Sequence, residues 1–294
     1  MKINKLNILK VIGNTPLIKI GNIFAKLETT NPTGSIKDRM AWYMVKKAEE
    51  RGELKPDNEI IEVTSGNTGI SFAMISAIKG YKFTAIMPES MSVERRKMMK
   101  AFGAKLVLTP AKEDMAGALR RYKEIVRENK KAWLPTQFDN QDNIMAHKEG
   151  IGKEIIRQMR GQIDAFVAGV GTGGTLIGVA KALKEVNPNV KIIAVEPKES
   201  AVLSGGKPGL HKIQGVGEGF VTKIIKDNLH LIDEVIAVKS VDAINMANKL
   251  SKDYGILVGI SSGANILAAE QAVRKYKNIV TVLPDRGERY LSEN

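Results

Sequence analysis

The sequence predicts an α/β protein built as two domains, each a mostly parallel β-sheet between layers of helices (αβα). Three observations predict it. Short runs rich in Val and Ile alternate with segments whose apolar residues recur at helical spacing, the βαβα order that requires crossover helices between parallel strands. This order occurs in two series, with the polar, turn-rich WLPTQFDNQDN (133–143) between them. The 294 residues, 43% of them hydrophobic, also suffice for two cores.

Taken in order, IGNTPLIKIGNIFAKLE (12–28) reads as a β-hairpin. NPTGSIKDR (31–39) is a turn followed by a helix start: Ser35 stands as a cap, and Asp38 three residues later gives a capping-box-like pattern. The first series then pairs EIIEVT with TGISFAMISAIKG, KFTAIMP with SVERRKMMKAFG, and KLVLTP with DMAGALRRYKEIVREN. The second runs DAFVAGV, TLIGVAKALKEV, KIIAVEP, EVIAVK, DAINMANKLSKDYG, ILVGI, ANILAAEQAVRKY and IVTVLP, with ILVGI expected as a strand.

Composition narrows the chemistry. With no cysteine there is no disulfide, thiolate metal site or cysteine nucleophile, and three scattered histidines show no metal-ligand spacing. No metal is expected. The formal charge of +13 comes from lysines spread along the chain, and only 5% of residues are aromatic, so a basic surface is preferred to a nucleic-acid interface. The longest uncharged run, Ala165 to Ala180, is too short and glycine-rich to span a membrane, and the N-terminus shows no signal pattern. A cytoplasmic protein is expected.

Ligands of parallel α/β sheets collect where strand ends lead into helix N-termini, and three such loops are rich in small polar residues. TSGNTG (64–69) offers backbone N–H groups to one anion, with Ser65, Asn67 and Thr68 adding side-chain bonds, and it suits a carboxylate. The alternative is an ordinary capped turn. In GVGTGGT (169–175) the glycines let a phosphate approach the backbone, and Thr172 and Thr175 add hydroxyls. Gly169, Gly171 and Gly174 also satisfy G-x-G-x-x-G, and Glu196 lies where a ribose-binding acid is expected, so an NAD-dependent dehydrogenase stays open. GISSGA (259–264) follows a strand-like run; its serines either cap a helix or face a ligand. A fourth place is Lys37. A lysine in the first turn of a helix is disfavoured by the macrodipole, which with partial desolvation lowers its pKa and frees a neutral amine for Schiff-base chemistry.

Lysine, carboxylate loop, phosphate loop and serine loop together resemble the cysteine synthase (O-acetylserine sulfhydrylase) and cystathionine β-synthase family of fold type II, tryptophan synthase β-like, pyridoxal 5′-phosphate enzymes. The resemblance covers essentially the whole chain: IGNTPL, AKLE, NPTGSIKDR, TSGNTG, RRKMMKAFGAKLVLTP, QFDNQDN, GTGGT, EP, SGGKPGLHKIQGVGEGF, GISSGA and LPDRGERYLS. VLSGGKPGLHKIQG and GERYLS are similar to the cysteine synthase branch, and no appended regulatory domain is seen.

The resemblance implies roles. Lys37 would form the Schiff base with the cofactor and serve as general base; Asn67 would bond the ring hydroxyl; Gly171, Thr172, Gly173, Gly174 and Thr175 would hold the phosphate; Ser261, in preference to Ser262, would face the pyridine nitrogen. Thr64, Ser65, Gly66, Thr68, Gln137 and Gly217 would bind substrate, chiefly its α-carboxylate. A neutral serine at the ring nitrogen favours β-elimination over long-lived carbanion chemistry. The implied reaction is β-replacement: acetate leaves O-acetyl-L-serine (or phosphate leaves O-phosphoserine) and sulfide adds at Cβ to give L-cysteine. Cystathionine formation and serine dehydration use the same residues, and a non-catalytic binding protein is a further alternative.

Residues 36–140 would form a smaller mobile domain carrying the carboxylate loop, with 1–35 and 141–294 forming the larger one. A homodimer is implied, with serine acetyltransferase as a possible partner. Two departures stand out. KEGIGKEI follows His147 where the family commonly has a Thr-Thr-Gly-Pro-Glu-Ile-like stretch, and Arg286 replaces a usually small residue, either to favour a phosphorylated donor or as a plain surface arginine.

Overall fold

The computed structural model describes residues 5–64, 66–90 and 92–293. The chain divides into two compact units, one formed by Met1–Ile12, Lys37–Thr136 and Arg289–Asn294, the other by Gly13–Ile36 and Gln137–Glu288. Each holds one sheet.

In the first unit the strands are β3 (Glu59–Val63), β4 (Lys82–Pro88), β5 (Lys105–Thr109) and β6 (Ala132–Trp133), in the order β5-β4-β3-β6 and parallel throughout. Helices α1 (Lys37–Glu50), α2 (Asn67–Lys79), α3 (Val93–Ala101) and α4 (Asp114–Glu128) belong to it. Ile61, Val63 and Ile86 pack with Ala118 of α4, with Tyr122 and Ile125 closing over them. Gly80, left-handed at φ +84°, stops α2 and turns the chain directly into β4, the role for which glycine is suited.

The second unit carries six strands in the order β1-β2-β10-β7-β8-β9. The hairpin is as expected: β1 (Leu17–Ile20) runs antiparallel to β2 (Ile23–Leu27), with Ile20 opposite Ile23 across the turn. The remaining pairs are parallel, through β7 (Ala165–Gly169), β8 (Lys191–Pro197), β9 (Glu234–Val238) and β10 (Ile279–Leu283). Strand periodicity explains why AFVAG is apolar throughout. Ala165 and Val167 face one core with residues of α9 (Ser240–Tyr254) and α10 (Ile260–Ala272). Phe166 and Ala168 face the other, against α5 (Gln141–His147), α6 (Lys153–Gln158) and α7 (Gly174–Val186). The four-residue α8 (Lys223–Lys226) adds Ile224 and Ile225 to that second core. The divergent KEGIG segment forms a π-helical turn, Lys148–Gly152, linking α5 to α6.

ILVGI is not a strand. Gly255 (φ +67°) caps α9, and the chain enters α10 at Ile260, so the apolar run is a connector. Its backbone bonds go to the turn after β10: Gly259 N donates to Asp285 O (3.1 Å), Gly287 N donates to Leu257 O (3.2 Å), and Val258 forms a single bridge with Arg286. No helix among the described residues is long and apolar enough to cross a membrane.

Gly263, within GISSGA, has a packing reason for being glycine: a Cβ there would lie 2.0 Å from Ala243 O and 2.8 Å from Ala247 N of α9. Gly263→Ala is therefore expected to destabilise the protein by about 2 kcal/mol or more through overpacking of two backbones, read as a lower urea midpoint. An unchanged midpoint would contradict this packing.

Candidate functional site

In the first unit, β3 ends at Val63 and the chain passes through Thr64 and Gly66 into α2 at Asn67. Gly66 is the N-cap and brings no side chain, so the orphan N–H groups of the helix start are met from upstream: Thr64 Oγ1 accepts from Gly69 N (3.1 Å) and Gly66 N (3.4 Å). A Cβ on Gly69 would stand 2.7 Å from Met99 Sδ and 2.9 Å from Thr64 Cγ2. Lys37 is the first residue of α1 and half-buried. Beside it, the fully buried Asp38 accepts a 2.6 Å bond from Ser71 Oγ of α2, which ties the start of α1 to α2. Arg289 donates to Asn67 Oδ1. Lys37, Thr64, Gly66, Asn67 and Thr68 thus belong to one unit; Ser65 lies outside the described residues.

The turn before Lys37 is braced from the other end of the chain. Ile36 N donates to Pro284 O (2.8 Å), Ser35 pairs with Asp285, and Arg286 N donates to Gly34 O (3.1 Å). Arg286 Nε donates to Thr29 O (2.8 Å), and its methylenes lie against Gly34, whose φ of +78° and lack of Cβ permit that approach. Its Nη1 lies 3.7 Å from Glu288. The arginine therefore holds the 29–34 turn, a role neither sequence reading of it foresaw.

In the second unit, Gly171–Thr175 joins β7 to α7 and is closely packed at its three glycines. Cβ atoms at Gly171, Gly173 and Gly174 would meet Gly215 O at 2.3 Å, Ile225 Cδ1 at 2.7 Å and Asn143 Oδ1 at 1.9 Å. Gly173 has φ +93°. The Thr172 hydroxyl accepts from Asn143 Nδ2 (3.0 Å) and from Gly174 N (3.3 Å), so its own proton is left to donate. Asn143 Nδ2 also donates to Gln137 O (2.8 Å), which fixes the orientation of that amide, and Thr222 Oγ1 donates to Thr172 O (2.8 Å). Thr175 Oγ1 lies 3.3 Å from His147 Nε2.

Nearby, Gly217 N donates to Val170 O (2.9 Å) and Gly217 O lies 2.8 Å from His211 Nε2. Asn265 of α10 joins two strand ends, accepting from Gly169 N (2.8 Å) and donating to Val282 O (2.9 Å), so the start of α10, with buried Ser261 and Ser262, sits at the carboxyl ends of β7 and β10. Gln137, Gly171–Thr175, Gly217 and Ser261 therefore share this unit. Glu196 is occupied differently from a ribose-binding acid: its carboxylate accepts from Leu203 N (2.7 Å), Ser204 N (3.1 Å) and Ser204 Oγ, pinning the 203–204 backbone.

Comparison with known proteins decides the family. The family described as Pyridoxal-phosphate dependent enzyme matches residues 8–285. The chain belongs to that family. A cysteine synthase of Staphylococcus aureus (strain Mu50) is 49% identical over 298 residues, spanning 97% of this chain and 95% of that protein. Cysteine synthase B of Campylobacter jejuni is also 49% identical over 298 residues, spanning 99% and 98%. The crystal structure of cysteine synthase from Entamoeba histolytica superposes with a TM-score of 0.93 at 46% identity, over 97% of this chain and 89% of that one. As in other pyridoxal-phosphate dependent enzymes, the cofactor carries an aldehyde and a phosphate, and the glycine loop of the second unit fits the phosphate. The glycine loop stands at the N-terminus of α7, with the Thr172 hydroxyl proton left to donate and, beside it, a buried Asn143 Oδ1 that no donor among the described residues meets.

Sequence reasoning missed Asn143, Asn265, Thr222, His211 and Arg289. Asn143 and Arg289 stood inside quoted motifs, QFDNQDN and GERYLS, but no local pattern gave them a task.

The brace makes a prediction. Arg286→Ala should cost about 1 kcal/mol for the lost bond to Thr29 O. Gly34→Ala should cost more than the roughly 1–2 kcal/mol of a left-handed non-glycine residue, and the excess should vanish in the Arg286→Ala background, where the obstructing side chain is gone. Urea midpoints of the three variants check it; strict additivity would contradict it.

Proposed function

We propose that this pyridoxal-phosphate dependent enzyme is a cysteine synthase, joining sulfide to the β-carbon of an activated serine, O-acetyl-L-serine or O-phosphoserine, to release L-cysteine. The observation that carries the reading is the near-full-length likeness to cysteine synthases, over a chain that keeps a lysine at the first residue of α1 and the glycine loop at the start of α7.

When bound, pyridoxal phosphate supplies the electron sink that lets the Cα–H and Cβ–O bonds of the substrate break. The residues of this chain do the rest. Lys37 would hold the cofactor aldehyde, and its nitrogen would serve as the base for the Cα proton. Gly171, Thr172, Gly173, Gly174 and Thr175 hold the phosphate through N–H groups and hydroxyls. Asn67 would donate to the ring oxygen, and Ser261 would hold the ring nitrogen without forcing a proton onto it. Thr64, Ser65, Gly66, Thr68 and Gln137 hold the substrate carboxylate with uncharged donors, which orients Cα–H toward Lys37, and Gly217 lines the substrate. The unit containing residues 37–136 acts as the mobile part that excludes water during the reaction. A cytoplasmic homodimer, with serine acetyltransferase as a possible partner, completes the proposal.

The test is to assay purified holoenzyme with each activated serine and sulfide, alongside Lys37→Ala. Wild type should form cysteine, and Lys37→Ala should lose the visible cofactor band and about a thousandfold or more in turnover. Turnover with homocysteine far above that with sulfide would reassign the acceptor. A colourless wild type after incubation with pyridoxal phosphate would contradict the reading outright.

A further inference from the structure

Arg289 is the largest of the fully buried side chains among the described residues, at 2% exposure. Burying a guanidinium is unfavourable unless its N–H groups find acceptors, so its place in the core calls for a reason. Part of the answer is Asn67 Oδ1, to which Arg289 Nη1 donates. The segment carrying Arg289 is itself anchored: Ser92 Oγ donates to its carbonyl (3.5 Å), and the neighbouring Tyr290, 4% exposed, packs under the Arg95 guanidinium at 4.8 Å.

A side-chain amide has two ends, an oxygen that accepts and a nitrogen that donates, and a half-turn about its last torsion exchanges them. A guanidinium has donors and no acceptor. Arg289 is therefore compatible with one orientation of Asn67: oxygen toward the arginine, Nδ2 directed away. The positive charge also polarises the amide and strengthens Nδ2 as a donor.

We propose that Arg289 is a positioning residue for the cofactor, fixing Asn67 so that Nδ2 is the end that donates to the cofactor's ring oxygen. The proposal rests on the role of Asn67 given above. A donor held there stabilises negative charge on that oxygen, which the visible spectrum of the bound cofactor reports directly.

Two substitutions separate orientation from packing. Arg289→Lys keeps a side chain that only donates and so keeps the constraint. Arg289→Gln offers an acceptor as well as a donor, so either orientation of Asn67 is satisfied. Visible spectra and cofactor dissociation constants of the holoenzymes are measured, with urea midpoints alongside. Arg289→Lys should keep the wild-type band and bind cofactor within about threefold of wild type, whereas Arg289→Gln should lose band intensity and bind about tenfold more weakly. In the Asn67→Ala background the difference between the two should disappear. Lys and Gln variants that behave alike, including both failing to fold, or a difference that persists in that background, would overturn the proposal. If Asn67→Ala alone leaves spectrum and affinity unchanged, the underlying role of Asn67 fails, and that outcome is distinguishable from failure of Arg289 alone.

Discussion

The constraint on which the second unit depends is the crowding of the loop between β7 and α7. Gly215 O, Ile225 and Asn143 stand where the β-carbons of residues 171, 173 and 174 would be, so the loop is glycine because the surrounding chain occupies that space. The same crowding suits it to an anion. At its three glycines the loop interposes no side chain between an anion and its backbone N–H groups, and the neighbours that exclude β-carbons there also fix the shape. Asn143 joins both functions: it fills the space above Gly174 and sets the direction of the Thr172 hydroxyl.

Much of the fold was legible in the sequence because both sheets are largely parallel. Strands buried on both faces read as continuous Val, Ile and Ala runs, and the intervening helices show their own period. Ile256–Ile260 has the same composition as a strand but takes its hydrogen bonds from the 285–287 turn, information that no local window contains. The dehydrogenase alternative had a similar origin. Spacing placed Glu196 where a ribose-binding acid belongs, while the fold uses that carboxylate to hold Leu203 and Ser204.

The loops of the candidate site were legible as clusters of Gly, Ser, Thr and Asn at strand ends, but the residues that hold them were not. Asn143 reaches Thr172 across 29 residues, Thr222 reaches Thr172 across 50, and Asn265 reaches Gly169 across 96. Each is a polar side chain whose partner is fixed by topology, and a single sequence offers no periodicity for such bonds. Arg289 lies 222 residues from Asn67. Arg286 was noticed as a departure and is exposed, as a surface arginine would be, but its task lies in the turn that delivers the chain to Lys37 and is invisible without the bond to Thr29.

The central claim is that packing around the glycine loop creates the phosphate site. Gly171→Ala tests it most directly, because the added carbon would meet the backbone oxygen of Gly215 at 2.3 Å and the loop must move. The account predicts wild-type secondary structure by circular dichroism together with a dissociation constant for pyridoxal phosphate raised at least about tenfold. Cofactor binding as tight as in the wild type would contradict it.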